Sequence, residues 1–274
     1  MCYTLQQVPG FFFFPGGISE SLQSFLEYQS LQLYCRPPFR TNLDQLLVTR
    51  TKGNGEHVNA RSHPSHKLSW ATLGYHYNWS DRSYSPEDVS KMPMELQVIA
   101  QHFAVAAMQH SNTTTSTTVL PSYQATACIV NYYTTKSVMG GHRDDVEEAV
   151  DKPVVSISLG QRPAVFIVGG STLDATPVIP MVVRPGDVVV LSGKSRLSYH
   201  SMARLLPREL PVVATPPSEE DLCPEQQSTG GLCLSDVMDE EPVVDEDIQC
   251  SVLEFLKDRR ININLRQVYP RDTM

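Results

Sequence analysis

The chain has 274 residues, 41% of them hydrophobic, which suits one large domain or a domain with an N-terminal extension. Its formal net charge of −8 comes from residues 218–247, which hold eleven acidic residues and no lysine or arginine, so the rest carries +3. No apolar run approaches the length of a membrane span, and the N-terminus lacks the features of a signal peptide. We therefore expect an intracellular protein with no membrane partner, in the cytoplasm, the nucleus or the mitochondrion.

The first 120 residues are predicted to form an N-terminal extension. Apolar residues recur at helical spacing in 16–33 and in 94–108, and each segment is predicted to be a helix. Between them, 36–66 is polar and irregular, whereas 68–84 is dense in aromatic residues. We interpret the aromatic segment as a lid over the body of the protein.

From residue 125 onward the pattern changes to short β-rich runs joined by turns. The predicted strands are 125–133, 154–159, 164–168, 181–183, 187–191 and 261–268. This pattern predicts a mainly β fold with flanking helices: a double-stranded β-helix, or jelly roll, over 121–272, preceded by the helical and lid extension. The acidic segment 218–247 is predicted to be a disordered or loosely packed insertion before a last helix around 250–257.

A candidate metal site begins with His142 and Asp144. On a strand, residues two apart face the same side, so both side chains could reach one ion while Arg143 points away. The distant His200 follows a predicted strand and turn and is the best candidate for a third ligand. Two histidines and a carboxylate can hold one face of an iron(II) ion and leave positions open. The H-x-D pair alone is weak evidence, because such pairs also occur on surfaces.

The last predicted strand places four polar residues on one face and three aliphatic residues on the other. The polar residues are Arg260, Asn262, Asn264 and Arg266. A solvated polar face is the simple alternative. If this face instead lines the interior, each guanidinium needs a partner, because an unpaired buried charge is costly. A small dicarboxylate beside the metal would supply those partners.

Taken together, these residues resemble the AlkB family of iron(II)- and 2-oxoglutarate-dependent dioxygenases, and most closely its AlkB homologue 1 branch. The family pattern of H-x-D, a distant His and R-x-N-x-x-x-R occurs as His142-Arg143-Asp144, His200 and Arg260 through Arg266. The family's upstream N-x-Y occurs as Asn131-Tyr132-Tyr133. The similarity extends from about Pro9 to Val268, which is nearly the whole chain.

The resemblance implies that His142, Asp144 and His200 form the catalytic Fe(II) site. It also implies a binding site for 2-oxoglutarate, whose members are Asn131, Tyr133, Arg260, Asn262 and Arg266. Within that site Arg260 would pair with the distal carboxylate, and Arg266 would hold the end near the metal. The implied reaction uses O₂ to remove a methyl group from a nucleobase and releases formaldehyde, succinate and CO₂. The branch favours N1-methyladenine-type bases in tRNA, with DNA possible.

Four aromatic residues of the predicted lid are candidates for stacking on an extracted base. They are Trp70, Tyr75, Tyr77 and Trp79. Packing of the lid onto the body is an equally weighted role for each of them. Where some relatives carry an acidic residue that meets the base, this chain has Val146, and the flanking Asp145 and Glu147 are expected to point elsewhere. A DNA-repair specificity is therefore not carried over directly.

Two other functions remain open. The same scaffold could hydroxylate a protein side chain, or it could be a non-catalytic nucleic-acid-binding relative. The complete set of metal ligands argues against the second, because a retired enzyme is expected to lose them. We further expect the protein to act as a monomer.

Overall fold

The computed structural model describes residues 1–44, 67–111, 122–172, 178–208, 231–238 and 246–270. Their strands form two sheets, one of nine strands and one of four. The larger sheet has the order β1 (Tyr3–Leu5), β2 (Val8–Phe14), β11 (Val188–Leu191), β8 (Val154–Gly160), β13 (Arg259–Arg266), β6 (Ala127–Thr134), β4 (Trp70–Asn78) and β3 (Arg40–Thr41), with β5 (Ser83–Val89) beside β4. The smaller sheet has the order β10 (Ile179–Val183), β9 (Ala164–Val168), β12 (His200–Leu205) and β7 (Met139–His142).

Helices cover one face of the larger sheet. They are α1 (Glu20–Gln32), α2 (Met94–Ser111) and α3 (Glu246–Leu256). Ser19 is the N-cap of α1, and its Oγ accepts a hydrogen bond from the backbone N–H of Leu22 in the first turn. The apolar stripes of the helices share one core with alternate residues of β13, including Ile261 and Ile263. This packing confirms the three predicted helices. No helix in the described ranges is long and apolar enough to span a membrane.

A second core lies between the two sheets, as expected for a jelly roll. Phe11 of β2 and Leu191 of β11 contribute from the larger sheet, and Val168 and Met202 contribute from the smaller one. The mainly β fold is therefore confirmed. Toward the end of the sheets that carries His142, this space opens into a cavity.

Several strands were not predicted, and the larger sheet crosses the predicted boundary near residue 120. Strand β2 pairs with β11, and β4 pairs with β6. The reason is visible in β2, where Phe12 and Phe14 enter the helix-side core while Phe11 enters the core between the sheets. A strand buried on both faces shows no polar alternation, so periodicity does not reveal it.

Part of the acidic segment is well packed, contrary to the prediction. Residues 231–238 lie against the start of α1, where Leu232 is 7% exposed. The backbone N–H of Leu232 donates to the carbonyl of Gly17 at 2.8 Å, and its carbonyl accepts from Ser19 at 2.9 Å. Apolar residues within the acidic run explain this docking. Residues 45–66, which belong to the predicted irregular segment 36–66, and residues 209–230 lie outside the described residues.

Gly74 in β4 is required by a close backbone contact. Its φ is +71°, and a Cβ at this position would meet the carbonyl oxygen of Thr126 at 2.1 Å. We expect Gly74→Ala to lower the free energy of unfolding by about 2 kcal/mol or more, since left-handed backbone alone costs an alanine 1–2 kcal/mol. Urea unfolding measures the change. Gly140→Ala is the matched control, because a Cβ there meets nothing within 4 Å; equal losses in both variants would contradict the argument.

Candidate metal centre and dicarboxylate pocket

Three metal-ligating side chains meet at one end of the smaller sheet. His142 and His200 are direct cross-strand partners on β7 and β12, and their ring centroids lie 4.4 Å apart. Asp144 follows two residues after His142, and the ligand atoms of all three lie within 4.8 Å of one another. The structure thus brings the predicted set together. However, β7 ends at His142, so the prediction that Asp144 lies on the same strand was wrong.

Backbone carbonyls fix the orientation of both imidazole rings. Nδ1 of His142 lies 3.0 Å from the carbonyl oxygen of Gly140, and Nδ1 of His200 lies 3.1 Å from that of Ser198. Because a carbonyl oxygen only accepts, each Nδ1 must donate its proton, which leaves the Nε2 lone pair available. Ring orientation by a hydrogen bond from the other nitrogen is the usual support of a metal-binding histidine.

The electrostatic environment favours the ligand forms of these groups. Burial alone would raise the pKa of Asp144, but Arg266, His200 and His142 hold it below its ordinary value. Burial lowers the pKa of His200, despite the opposing effect of Asp144. A carboxylate and a neutral imidazole are the states that bind a divalent metal ion.

A cavity of about 720 Å³ lies between the sheets and includes the three ligands. Its floor is the polar face of β13, together with residues of the neighbouring strands β6 and β8. The polar floor residues are Asn131, Tyr133, Ser156, Ser158, Arg260, Asn262, Asn264 and Arg266. The polar side chains of 260–266 therefore face the interior of the protein and not the solvent.

Arg260 is buried, yet its charge is poorly satisfied. The side chain is 2% exposed, and its Nη2 donates to Ser158 Oγ at 2.6 Å. Nε and Nη1 have no hydrogen-bond partner among the described residues. Burial lowers the pKa of Arg260 to about 10, against the opposing effects of Tyr133 and Asp187, so the group stays cationic at neutral pH. Two unused buried donors on a cation fit the carboxylate of a ligand.

Arg266 differs from Arg260, because it forms ion pairs with two carboxylates of the protein. Its Nη1 donates to Asp144 Oδ1 at 3.3 Å and to Glu147 Oε1 at 3.0 Å, while Nε has no partner among the described residues. Glu147 is buried and lines the cavity, so the prediction that it points elsewhere was wrong. The loop after β7 leaves strand geometry, and strand alternation no longer applies to it.

The other predicted 2-oxoglutarate residues are neighbours on adjacent strands. Asn131 lies directly opposite Asn262 and Tyr133 opposite Arg260 in the β6–β13 register. Nδ2 of Asn262 donates to Ser156 Oγ at 2.9 Å and to the carbonyl of Ile157 at 3.0 Å. These bonds hold the amide in place on the floor of the cavity.

Ser156 and Ser158 are site residues that the sequence reasoning missed. They accept hydrogen bonds from Asn262 and Arg260 respectively. A signal was available, because 154–160 alternates these serines with Val155, Ile157 and Leu159, which are buried in the helix-side core. The pattern is the same as in β13.

The aromatic candidates divide into two groups. Tyr77 and Trp79 line the cavity with ring centroids 4.2 Å apart, and Trp70 lies 5.0 Å from Trp79. Trp79 is 41% exposed, so this group remains accessible. The structure does not bring Tyr75 to the cavity: it is 2% exposed and packs edge-on against Tyr269. Tyr75 has a packing role in this structure.

Comparison with known proteins gives a consistent family relationship. The profile of the "2OG-Fe(II) oxygenase superfamily" matches residues 21–266. The chain is 32% identical over 280 residues to "Nucleic acid dioxygenase ALKBH1" of Mus musculus, covering 97% of this chain and 66% of that protein. It is 28% identical over 305 residues to "DNA N(6)-methyladenine demethylase ALKBH1A" of Arabidopsis thaliana, covering 97% of this chain and 77% of that protein. The chain thus spans about two thirds of the mouse relative.

A solved structure shares the fold. The one described as "The structure of OsALKBH1" aligns with a TM-score of 0.57 at 20% sequence identity and covers 97% of this chain and all of that one. At this identity the likeness supports the jelly-roll architecture.

Proposed function

This chain belongs to the 2OG-Fe(II) oxygenase superfamily, and on that premise we propose that it oxidatively demethylates adenine bases in nucleic acid, with tRNA favoured over DNA. Its cofactors are Fe(II) and 2-oxoglutarate. The observation that carries the proposal is the placement of three groups in one cavity: the His–Asp–His set, the two unused donors of Arg260, and the accessible pair Tyr77 and Trp79. The relatives' names support a nucleic-acid substrate.

The chain's own groups match the needs of these cofactors. Nε2 of His142, Nε2 of His200 and the carboxylate of Asp144 would hold the metal. Arg260 would pair with the distal carboxylate of 2-oxoglutarate through Nε and Nη1. When bound, iron and 2-oxoglutarate activate O₂ to oxidise an N-methyl group, and the products are formaldehyde, succinate and CO₂.

The fold prepares this site before a substrate arrives. Burial between two sheets keeps water away from Arg260, and each charged hydrogen bond that it makes there contributes roughly 1.5–3 kcal/mol. Ser158 accepts a hydrogen bond from Nη2 of Arg260, and Tyr133 is the cross-strand neighbour of Arg260 on β6. Asn262 is fixed by two hydrogen bonds, so its amide is ordered without a ligand. Preformed polar groups of this kind reduce the ordering cost of binding.

The cavity mouth offers a surface for an extracted base and its phosphates. A base inside a duplex or a folded RNA must leave its stack to reach a buried metal. Tyr77 and Trp79 provide aromatic faces beside the cavity. Arg82, whose side chain is 67% exposed, and Arg143 flank Asp145 at the same mouth and could face the nucleic-acid backbone.

The decisive experiment is a turnover screen. Purified protein with Fe(II), ascorbate and 2-oxoglutarate is incubated with tRNA stem-loops and DNA oligomers that carry N1- or N6-methyladenine. We expect formaldehyde release and loss of the methyl group by mass spectrometry, with none in His142→Ala. Absence of turnover on every methylated nucleic acid would refute the proposal. A one-oxygen mass gain on a protein substrate would instead favour a side-chain hydroxylase. The intracellular location and the monomeric state remain predictions.

Trp79→Ala tests the role of the cavity mouth. We expect KM for the methylated oligomer to rise about 5- to 150-fold, because one base–aromatic stack contributes roughly 1–3 kcal/mol. The slow conversion of 2-oxoglutarate without nucleic acid should stay unchanged, since Trp79 is 41% exposed at the cavity mouth whereas Arg260 is buried at 2%. Trp79→Phe, which keeps an aromatic face, should recover most of the affinity. A matching fall in the uncoupled reaction would point to a folding defect.

A further inference from the structure

A buried network of four charged residues lies beneath the metal site. Its members are Asp144, Glu147, Arg196 and Arg266. Arg266 Nη1 bridges the carboxylates of Asp144 and Glu147 at 3.3 Å and 3.0 Å, and Arg196 Nη2 donates to the other oxygen of Glu147 at 3.0 Å. Two guanidinium groups thus face two carboxylates, and the set is formally neutral before any metal binds.

Each of the three guanidinium nitrogens of Arg196 donates a hydrogen bond to a different partner. Nε donates to the carbonyl of Lys152 at 2.7 Å, Nη1 donates to the backbone carbonyl of Asp144, and Nη2 donates to Glu147. The side chain is almost completely buried. Arg196 belongs to the 3-10 helix Gly193–Leu197, which ends three residues before His200. This helix therefore contacts the Asp144 loop and continues into the strand that carries another ligand.

The Asp144 loop needs such support. Because β7 ends at His142, no strand hydrogen bonds fix the backbone of 143–147. Instead, Arg196 donates to the backbone carbonyl of Asp144, and Glu147 forms ion pairs with Arg196 and Arg266. We propose that Arg196 and Glu147 are positioning residues, which set the placement of the Asp144 carboxylate as a metal ligand.

The charge balance indicates a second effect. With Glu147 present, Arg266 divides its pairing between two carboxylates. If a substitution removed the charge of Glu147, Arg266 would pair with the Asp144 carboxylate alone. Arg266 would then compete with a metal ion for that carboxylate. Partners of this kind, outside the ligand set itself, typically change metal affinity by about 10–100-fold.

The test uses Co(II) as an oxygen-stable probe of the 274-residue protein. Glu147→Gln keeps the size of the side chain but removes its charge. Arg196→Lys keeps the charge but cannot reach three partners at once. Glu27→Gln is the matched control, because Glu27 is also a buried carboxylate, but it accepts from the backbone N–H of Gly160 at 2.8 Å, away from the metal ligands. Each variant is titrated below its own thermal midpoint.

We expect both network variants to bind Co(II) about tenfold more weakly and to show a shifted visible absorption band. Glu27→Gln should match the unaltered protein in both readouts. If the network variants lose only thermal stability and keep the affinity and the band, the positioning role is refuted. The inference rests on the iron site of the proposed function. Co(II) binding by the unaltered protein, and its loss in His142→Ala, tests that site separately.

Discussion

His142→Ala is expected to abolish iron-dependent turnover, with a loss of at least about 100-fold. Groups that merely support a ligand already account for 10–100-fold in metal affinity, and His142 supplies one of three ligands. Its Nδ1 is engaged by the carbonyl of Gly140, so the substitution removes the free Nε2 from the set of three ligands. Conversion of 2-oxoglutarate to succinate measures the chemistry, and metal analysis of the purified protein measures the occupancy.

The control is His102→Ala, which removes an exposed histidine from α2. We expect normal iron content and normal turnover in that variant. The unfolding transition of His142→Ala in the absence of metal should also stay close to that of the unaltered protein, since His142 lies at the end of an edge strand of the smaller sheet. Full iron content in His142→Ala would mean that the metal site lies elsewhere.

The sequence was most informative where a strand has two chemically different faces. In 260–266 the aliphatic residues enter the helix-side core, and the polar residues line the cavity. Strand periodicity is a local property, so this face could be predicted without knowing the sheet order. The same rule applies to 154–160, where Ser156 and Ser158 alternate with aliphatic residues.

The rest depends on tertiary contacts that no local pattern contains. Glu147 was misplaced because strand alternation was extended past His142, where the strand ends. Arg196, fifty-two residues from Asp144, supports the loop through its backbone carbonyl, and a carbonyl contact carries no side-chain signature. Tyr75 and Tyr77 look equivalent in sequence, yet the former packs on Tyr269 while the latter lines the cavity.

Arg260→Met is expected to have the second large effect, on 2-oxoglutarate. The unused Nε and Nη1 can form a fork with a carboxylate, and two charge-assisted hydrogen bonds contribute about 3 kcal/mol or more together. The KM for 2-oxoglutarate should therefore rise more than about 100-fold. Arg259→Met is the matched control on the same strand, because Arg259 lies over the ring of Phe255 and does not line the cavity.

The stability of Arg260→Met separates a ligand-binding role from a structural one. Removing one partner of a satisfied buried ion pair destabilises a protein strongly, whereas replacing an unsatisfied buried charge by an apolar side chain is often neutral or stabilising. Since the neutral Ser158 is the one hydrogen-bond partner of the Arg260 guanidinium among the described residues, we expect the metal-free, ligand-free variant to unfold at the same or higher urea concentration. A clear loss of stability would show that Arg260 serves the fold.

Added 2-oxoglutarate should make the unaltered protein more resistant to urea than Arg260→Met. A ligand that binds only the folded state stabilises it by about 2.7 kcal/mol at a concentration 100 times its Kd. With a metal ion present, millimolar 2-oxoglutarate should raise the unfolding midpoint of the unaltered protein and of Arg259→Met. The unfolding midpoint of Arg260→Met should not change. Equal stabilisation of all three would place the dicarboxylate elsewhere in the cavity. Unfolding alone thus distinguishes a desolvated cation whose charge is paired only when the ligand binds from an arginine that stabilises the fold without a ligand.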